Sequence, residues 1–287
     1  MRLPFVLARR FVAGETLKEA LPVAKSLNEN GLHVTLDLLG EYVRDLDVAA
    51  AARDAYVNLV HTLSERRQKE GLDATISIKL SMMGQKIDEA FCLDNLRQLL
   101  DVARTKDVFV RLDMEGSDIT ASTLAIFEEV FPAYPDHVGI VLQAYLKRTA
   151  ADVERMCALG ARVRLCKGAY KEPPEIAYQD MPAIRERFTH YMQQLVTRAP
   201  YPAVATHDDL LIDATRRFVA ENGIGRDRFE FQMLYGIRPE TQLQIAREGY
   251  NMRIYVPYGT EWVPYFTRRL RERKENVWFV LRNLMRR

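Results

Sequence analysis

The sequence predicts an α/β fold, a closed (β/α)8 barrel of the TIM type. Three observations predict it. About eight short runs, several of them enriched in Val, Ile and Thr, follow one another along 287 residues. Most are followed by a segment with helical apolar spacing, so consecutive strands need parallel crossovers. The Gly-rich first turn that an open doubly wound sheet usually carries is missing, and the length suits a barrel of ~250 residues with additions.

In chain order, the first predicted strand is His33–Leu39 (HVTLDLL), preceded by a helix over Glu15–Glu29. The second is Ala74–Leu80 (ATISIKL), and after it Leu93, Leu96, Leu99 and Leu100 recur at helical spacing. The third, Val108–Met114 (VFVRLDM), and the fourth, Val138–Ala144 (VGIVLQA), precede Arg162–Lys167 (RVRLCK), the fifth. The sixth, Ala203–Thr206 (AVAT), runs into Asp208 and Asp209, placed as helix N-caps for a stripe of Ile212, Thr215, Phe218 and Val219. Phe229–Leu234 (FEFQML) and Asn251–Val256 (NMRIYV) complete the eight, and a last helix over Asn276–Met285 is an addition to the barrel. No low-complexity segment or Gly/Ser linker divides the chain, so residues 1–287 read as one domain.

Composition narrows the function. Hydrophobic residues make up 48% and charged residues 28%, ordinary for a globular protein able to bury a sizeable core. Lys plus Arg is 41 against 39 Asp plus Glu, a net charge of +2 that argues against a dedicated nucleic-acid binder. No apolar run approaches the ~20 residues of a membrane span. The stretch Leu3–Ala8 is too short for a signal-peptide core and meets Arg9 and Arg10. Cys92, Cys157 and Cys166 are an odd, widely spaced set, read as reduced thiols of a cytoplasmic protein.

Active sites of such barrels sit at the C-terminal ends of the strands. Polar residues collect there: Lys79 on strand 2; Arg111, Asp113 and Glu115 on strand 3; Gln143 on strand 4; Arg164 and Lys167, then Gly168, on strand 5. Thr206 and His207 follow strand 6, Gln232 and Tyr235 belong to strand 7, and Arg253 and Tyr255 to strand 8. Read as one mouth, this set has more cations than anions and calls for an anionic ligand. Any one of these residues equally serves as half of a structural ion pair. The histidines are scattered without metal-ligand spacing, and no metal site is expected. No P-loop, H-E-x-x-H or G-x-S-x-G motif occurs, and Gly223–Arg228 lacks the third glycine of a dinucleotide fingerprint. Read as a helix, Thr260–Glu272 places Tyr265, Arg268, Arg269 and Glu272 on one face. Two guanidiniums beside a tyrosine suit a small carboxylate, since each offers a fork of donors. The same run also reads as a solvated basic helix.

These strings resemble the proline dehydrogenase family. The matches are ISIKLS (Ile76–Ser81), RLDME (Arg111–Glu115), QAYL (Gln143–Leu146), RLCKGAY (Arg164–Tyr170), ATHD (Ala205–Asp208), FEFQMLYG (Phe229–Gly236), RIYVPYG (Arg253–Gly259) and YFTRRLRE (Tyr265–Glu272), in family order. The resemblance implies a distorted (β/α)8 TIM-type barrel with the last barrel helix over the C-terminal mouth. It implies FAD-dependent oxidation of L-proline to Δ1-pyrroline-5-carboxylate, by hydride transfer from C5 to flavin N5, as the first step of proline catabolism. Carried over to this chain, Arg268 and Arg269 bind the proline carboxylate, with Lys79 adding positive charge. Asp113 orients the site, Tyr255 and Tyr265 wall the ring, and Glu272 buttresses the arginines. Gln143 and Arg164 contact the isoalloxazine, Arg164 near N5, and Met114 lies beside it. Lys167, Gly168 and Ala169 wrap the phosphates and ribityl chain, while Thr206 and His207 hold more distal parts. Cys166 stands where the family commonly has an apolar residue.

The resemblance further implies a quinone as electron acceptor, reached by peripheral contact on the inner face of the cytoplasmic membrane. A separate pyrroline-5-carboxylate dehydrogenase then takes the product, since the chain lacks the extra domains of bifunctional relatives. The stretch Lys274–Arg287 (KENVWFVLRNLMRR) is both apolar and basic, and either lies on lipid or caps the barrel. Two rival readings are a Schiff-base aldolase using Lys79 or Lys167, and a non-enzymatic basic binding module using Arg268–Lys274.

Overall fold

The structure, a computed structural model, describes residues 5–272 of the chain, with side chains from Phe5 to Arg269. Eight parallel strands close into a barrel in sequence order. They are β1 (His33–Leu38), β2 (Ala74–Ile78), β3 (Val110–Leu112), β4 (Val138–Gln143), β5 (Arg162–Cys166), β6 (Ala203–Ala205), β7 (Glu230–Leu234) and β8 (Asn251–Tyr258). The seam is the pairing of β1 with β8, in register from His33 opposite Arg253 to Leu38 opposite Tyr258. The crossover helices are α2 (Leu46–Glu70), α3 (Glu89–Thr105), α4 (Ser117–Val130), α5 (Thr149–Leu159), α6 (Met181–Arg198), α7 (Asp209–Glu221) and α8 (Pro239–Arg247). Helix α1 (Leu17–Glu29) precedes β1, and α9 (Trp262–Glu272) follows β8. The predicted helix over Asn276–Met285 lies outside the described residues.

Local chemistry sets the helix starts. Asp45, Asp88, Asp180 and Asp208 each accept a backbone N–H in the first turn of α2, α3, α6 and α7. Thr16 and Glu19 form a reciprocal capping box on α1, with Glu19 Oε2 accepting the Thr16 N–H at 3.1 Å. The strands alternate two chemistries. Val34 and Leu36 of β1, Ile76 and Ile78 of β2, Val110 and Leu112 of β3 and Ile254 and Val256 of β8 join one apolar core with Tyr56, Leu59, Leu99 and Phe127 of the helices. Their in-between neighbours, such as Thr35, Ser77, Arg164 and Tyr255, bond across the barrel interior. This interior is therefore polar.

Three strand ends depart from expectation by two residues, the first being β2, which stops at Ile78 and not at Leu80. β3 ends at Leu112, two residues before the expected Met114, although the Asp113 N–H still donates to the Ile78 carbonyl at 2.8 Å. β8 continues past the expected Val256 through Pro257 to Tyr258. The last β7 pair is Leu234 with Tyr255, so the N–H that Pro257 lacks has no strand facing it.

Helix α9 does not coat the outside of the barrel. Arg268 of α9 pairs with Glu41, just past the C-terminal end of β1, which puts the helix at the C-terminal mouth. The seam it leaves is covered by α1, which packs on both β1 and β8. Under α9, Trp262, Tyr265 and Phe266 form a separate apolar cluster with Leu7, Phe11, Leu39 and Ile237.

Candidate active site

The floor of the C-terminal mouth is one bonded network drawn from six strands or their ends. Lys79, one residue past β2, donates to Asp37 of β1 at 2.7 Å and lies 3.9 Å from Asp113. Asp113 accepts from Arg164 of β5 at 2.7 Å and from the Tyr255 hydroxyl of β8 at 2.6 Å. Arg164 also donates to Ser77 at 3.0 Å and to Gln232 of β7 at 2.6 Å, and its guanidinium lies over the Tyr255 ring. Asp37 Oδ2 is buried without a hydrogen-bond partner. Every member comes from an inward position of its strand, so the alternation that builds the apolar shell also builds this floor.

Electrostatics keeps the floor ionised. Burial works against the Lys79 ammonium, but Asp37 and Asp113 outweigh it and raise its pKa above the ordinary value. Burial pushes the Asp37 carboxyl up to about 6, with Lys79 opposing. Burial and the Asp113 charge push the Tyr255 phenol far upward, so it stays a donor. Two cations, Lys79 and Arg164, thus face two carboxylates, Asp37 and Asp113.

The rim carries the remaining predicted groups. Glu115 is 2% exposed and accepts from the Ser81 N–H at 3.2 Å and the Ser81 hydroxyl at 2.6 Å. Burial still pushes its carboxyl up to about 7. Gln143 closes β4 and donates to the Glu115 carbonyl at 2.9 Å, with buried Met114 beside them in sequence. Past β5, Lys167 and Arg185 share Asp208 at 3.0 and 2.8 Å. Burial alone would raise Asp208, but the two cations outweigh it and hold the carboxyl below its usual range. Gly168 has φ +113°, and a Cβ there would stand 2.2 Å from the Tyr145 ring. Ala169 is exposed, while Thr206 is buried and accepts the Asp208 N–H at 3.1 Å. His207 Nε2 accepts the Leu234 N–H at 2.9 Å, and its carbonyl takes Arg238 at 2.6 Å.

On α9, Arg268 bonds both oxygens of Glu41, and Arg269 is buried, 5.1 Å above the Tyr265 ring centroid. Burial works against the Arg268 guanidinium, but the Glu41 carboxylate outweighs it and raises the pKa above its usual value. The Glu272 side chain lies outside the described residues.

One expectation is corrected. Arg111 and Arg253 do not face this mouth. Arg111 reaches the carbonyls of Ile140 and Arg162, and Arg253 bonds Glu230 at 3.0 Å and the Val34 carbonyl at 2.9 Å, all toward the strand N-termini. Both sit lower on their strands than Asp113 and Tyr255, and in a closed barrel two residues of depth decide which mouth a side chain enters. Asp37, Glu41, Ser77 and Arg185 were not foreseen. The HVTLDL run did signal Asp37, as the charged residue in phase with Thr35 on the inward face. Glu41 carries no such signal, since it lies in an irregular loop. The cysteines are free, and burial pushes the thiols of Cys92 and Cys166 up to about 12. Among the described residues no group of His, Cys, Asp and Glu could hold a metal.

Comparison with known proteins identifies the family. A profile of the proline dehydrogenase family matches residues 20–282. Proline dehydrogenase 1 of Bacillus subtilis subsp. natto is 42% identical over 278 residues, which cover 97% of this chain and 90% of that one. The proline dehydrogenase of Deinococcus radiodurans is 38% identical over 283 residues, with the same coverages of 97% and 90%. The crystal structure of proline utilization A from Bdellovibrio bacteriovorus, inactivated by N-propargylglycine, superposes with a TM-score of 0.87 at 28% identity. That match covers 93% of this chain and 32% of the other, so the chain spans about a third of that longer protein. With a matched profile over most of its length and near-full-length relatives of this identity, the chain belongs to the proline dehydrogenase family of oxidoreductases.

Proposed function

We propose that residues 1–287 act as one unit that oxidises L-proline to Δ1-pyrroline-5-carboxylate with FAD. The observation that carries this reading is the Lys79–Asp113–Arg164–Tyr255 floor lying beneath a helix that presents Arg268 and Arg269. On the helix above, Arg268 and Arg269 offer forked donors that would grip the substrate carboxylate. Their charge also disfavours the ammonium form of proline, and the amine must be neutral to release a hydride from C5. Tyr255 and Tyr265 bound the ring. Asp113 fixes the orientation of both Arg164 and Tyr255, and is a positioning residue.

The residues present fit a flavin dinucleotide. Lys167 and Arg185 share one carboxylate and so leave net positive charge at an exposed rim, as a pyrophosphate needs. Gly168 leaves out a side chain that Tyr145 would exclude. Lys167, Gly168, Ala169, Thr206 and His207 would hold the dinucleotide arm, and Met114, Gln143 and Arg164 its ring system. When bound, FAD supplies the two-electron acceptor. Arg164 stands ready to offset negative charge at that ring.

Lys79 is a poor candidate for a Schiff-base nucleophile, since two carboxylates hold it as the ammonium. Among the described residues no helix is long and apolar enough to cross a membrane. We take the electron acceptor to be a quinone met by peripheral contact, with a separate pyrroline-5-carboxylate dehydrogenase consuming the product.

Purified protein is expected to be yellow, to bleach anaerobically with L-proline, and to lose activity irreversibly with N-propargylglycine, the compound that inactivated the Bdellovibrio relative. A flavin-loaded sample whose spectrum proline leaves unchanged would overturn the reading.

A further inference from the structure

The opposite end of the barrel holds a second polar cavity that the reaction does not use. It opens among the strand N-termini, with Arg164 and Gln232 as the partition that separates it from the substrate floor. Arg111, Arg162 and Arg253 line it, and Glu230 is the carboxylate that joins them in the lining. Glu230 is already engaged, accepting from Arg253 at 3.0 Å and from the Gln232 amide. Asp73 lies outside the lining, 4.0 Å from Arg253 and bonded to His33. Asp113 serves the other mouth.

Two guanidiniums are left without a carboxylate. Arg111 is 4% exposed, and its hydrogen bonds go to the backbone carbonyls of Ile140 and Arg162. Arg162 rests over the rings of Phe109 and Tyr201, at 5.2 and 5.6 Å from their centroids, and no carboxylate among the described residues pairs with it. Burial and the nearby guanidiniums of Arg164, Arg162 and Arg253 outweigh the Glu230 charge and press the Arg111 pKa well below its usual value. Buried charge without a counter-charge is costly, and a guanidinium does not discard its proton to escape that cost. The arrangement is also built into the strands. At Gly139 of β4 a Cβ would stand 2.5 Å from Arg111 Nη1 and 2.6 Å from the Arg162 carbonyl, so β4 omits a side chain where the guanidinium passes. The cavity offers about 40 Å³ of interior space, room for one small ion or a water or two. The aromatic faces are already covered by guanidiniums, which leaves none for a stacked base.

We propose that this N-terminal cavity binds one small inorganic anion, of the halide or phosphate class, as the counter-ion of Arg111 and Arg162, with Arg253 beside it. The ion stabilises the barrel and takes no part in proline oxidation.

The test uses holoenzyme in gluconate, chloride and phosphate buffers at one ionic strength, so that general screening is constant. Chloride or phosphate is expected to raise Tm by about 2–4 °C over gluconate, as an ion bound only by the folded state does. The chloride and phosphate arms tell which ion the cavity prefers. Arg111→Met and Arg162→Gln should each abolish the increment. If Arg111→Met fails to fold, Arg162→Gln decides alone, since its half-exposed side chain bonds nothing in the core. Crystals soaked in bromide should show an anomalous peak between the three guanidiniums. No peak there, an increment of the same size in Arg162→Gln, or a peak with no effect on Tm (an adventitious ion only) would each overturn the proposal.

Discussion

At the scale of single residues, position within the strand pair period decides role. Asp113 meets Arg164, Tyr255 and Lys79 because it sits at the C-terminal end of β3, and Arg111, two positions earlier, serves the other mouth. The sequence marked both as polar residues near a strand end, but not the depth that separates them. That depth depends on barrel closure, which is not a local property. Glu115 shows a second kind of illegibility: its burial comes from residues far away in sequence. Its folded pKa, pushed to about 7, exceeds the unfolded value of 4.5. Between those values the folded chain holds a proton that the unfolded chain has lost, so stability falls as pH rises from about 4.5 to 7. Glu115→Gln removes that proton difference. Relative to wild type the variant is expected to gain, on the order of 3 kcal/mol, across this window. Denaturant melts at pH 5 and pH 8 measure it, and the comparison cancels Asp37, which titrates in the same range. A stability difference that stays constant with pH would show that Glu115 is already ionised throughout.

At the scale of elements, the strands and crossover helices were legible because each repeats a local pattern: alternating β-rich runs, apolar stripes and aspartate caps. The basic helix after strand 8 was legible as a helix, and the family resemblance put it over the mouth; what seats it there was not legible. The structure seats it through Trp262, Tyr265 and Phe266 on an N-terminal segment that carried no motif. Phe11 is fully buried in that seat, 6.3 Å from the Phe266 ring, and belongs to a cluster separate from the barrel core. Phe11→Ala removes a buried ring, a change of about 3–5 kcal/mol at a site that cannot collapse. The loss falls on the docking of α9, which holds the carboxylate-gripping arginines. The KM for proline is therefore expected to rise at least about tenfold, since 1.4 kcal/mol already gives that factor, with kcat changed far less. Steady-state kinetics with a dye acceptor reads both constants. An unchanged KM would mean that the Arg268–Glu41 pair alone keeps α9 in place.

At the scale of the whole molecule, moving one helix to the mouth has a consequence at the seam. A (β/α)8 barrel coats every strand with a helix, and here α9 has left the β8–β1 seam for the substrate side. Helix α1 fills that place by packing on both seam strands, with Ala20 and Ala24 fully buried against them. The outer face of the barrel is thus covered by α1 to α8 within the described residues. The stretch 274–287 is not needed to complete that coat, which bears on the choice between barrel cap and lipid contact for its apolar, basic sequence. Deleting residues 276–287 is expected to leave the Tm and the proline:dye activity within error of the full chain. Binding to anionic liposomes should fall sharply, because Trp278, Leu281, Leu284 and the flanking arginines would supply both the apolar and the electrostatic parts of such binding. Sedimentation with liposomes at two salt concentrations, alongside calorimetry, separates the cases. If the truncated chain precipitates or melts lower while liposome binding persists, the stretch is a lid on the fold and electrons leave by another surface.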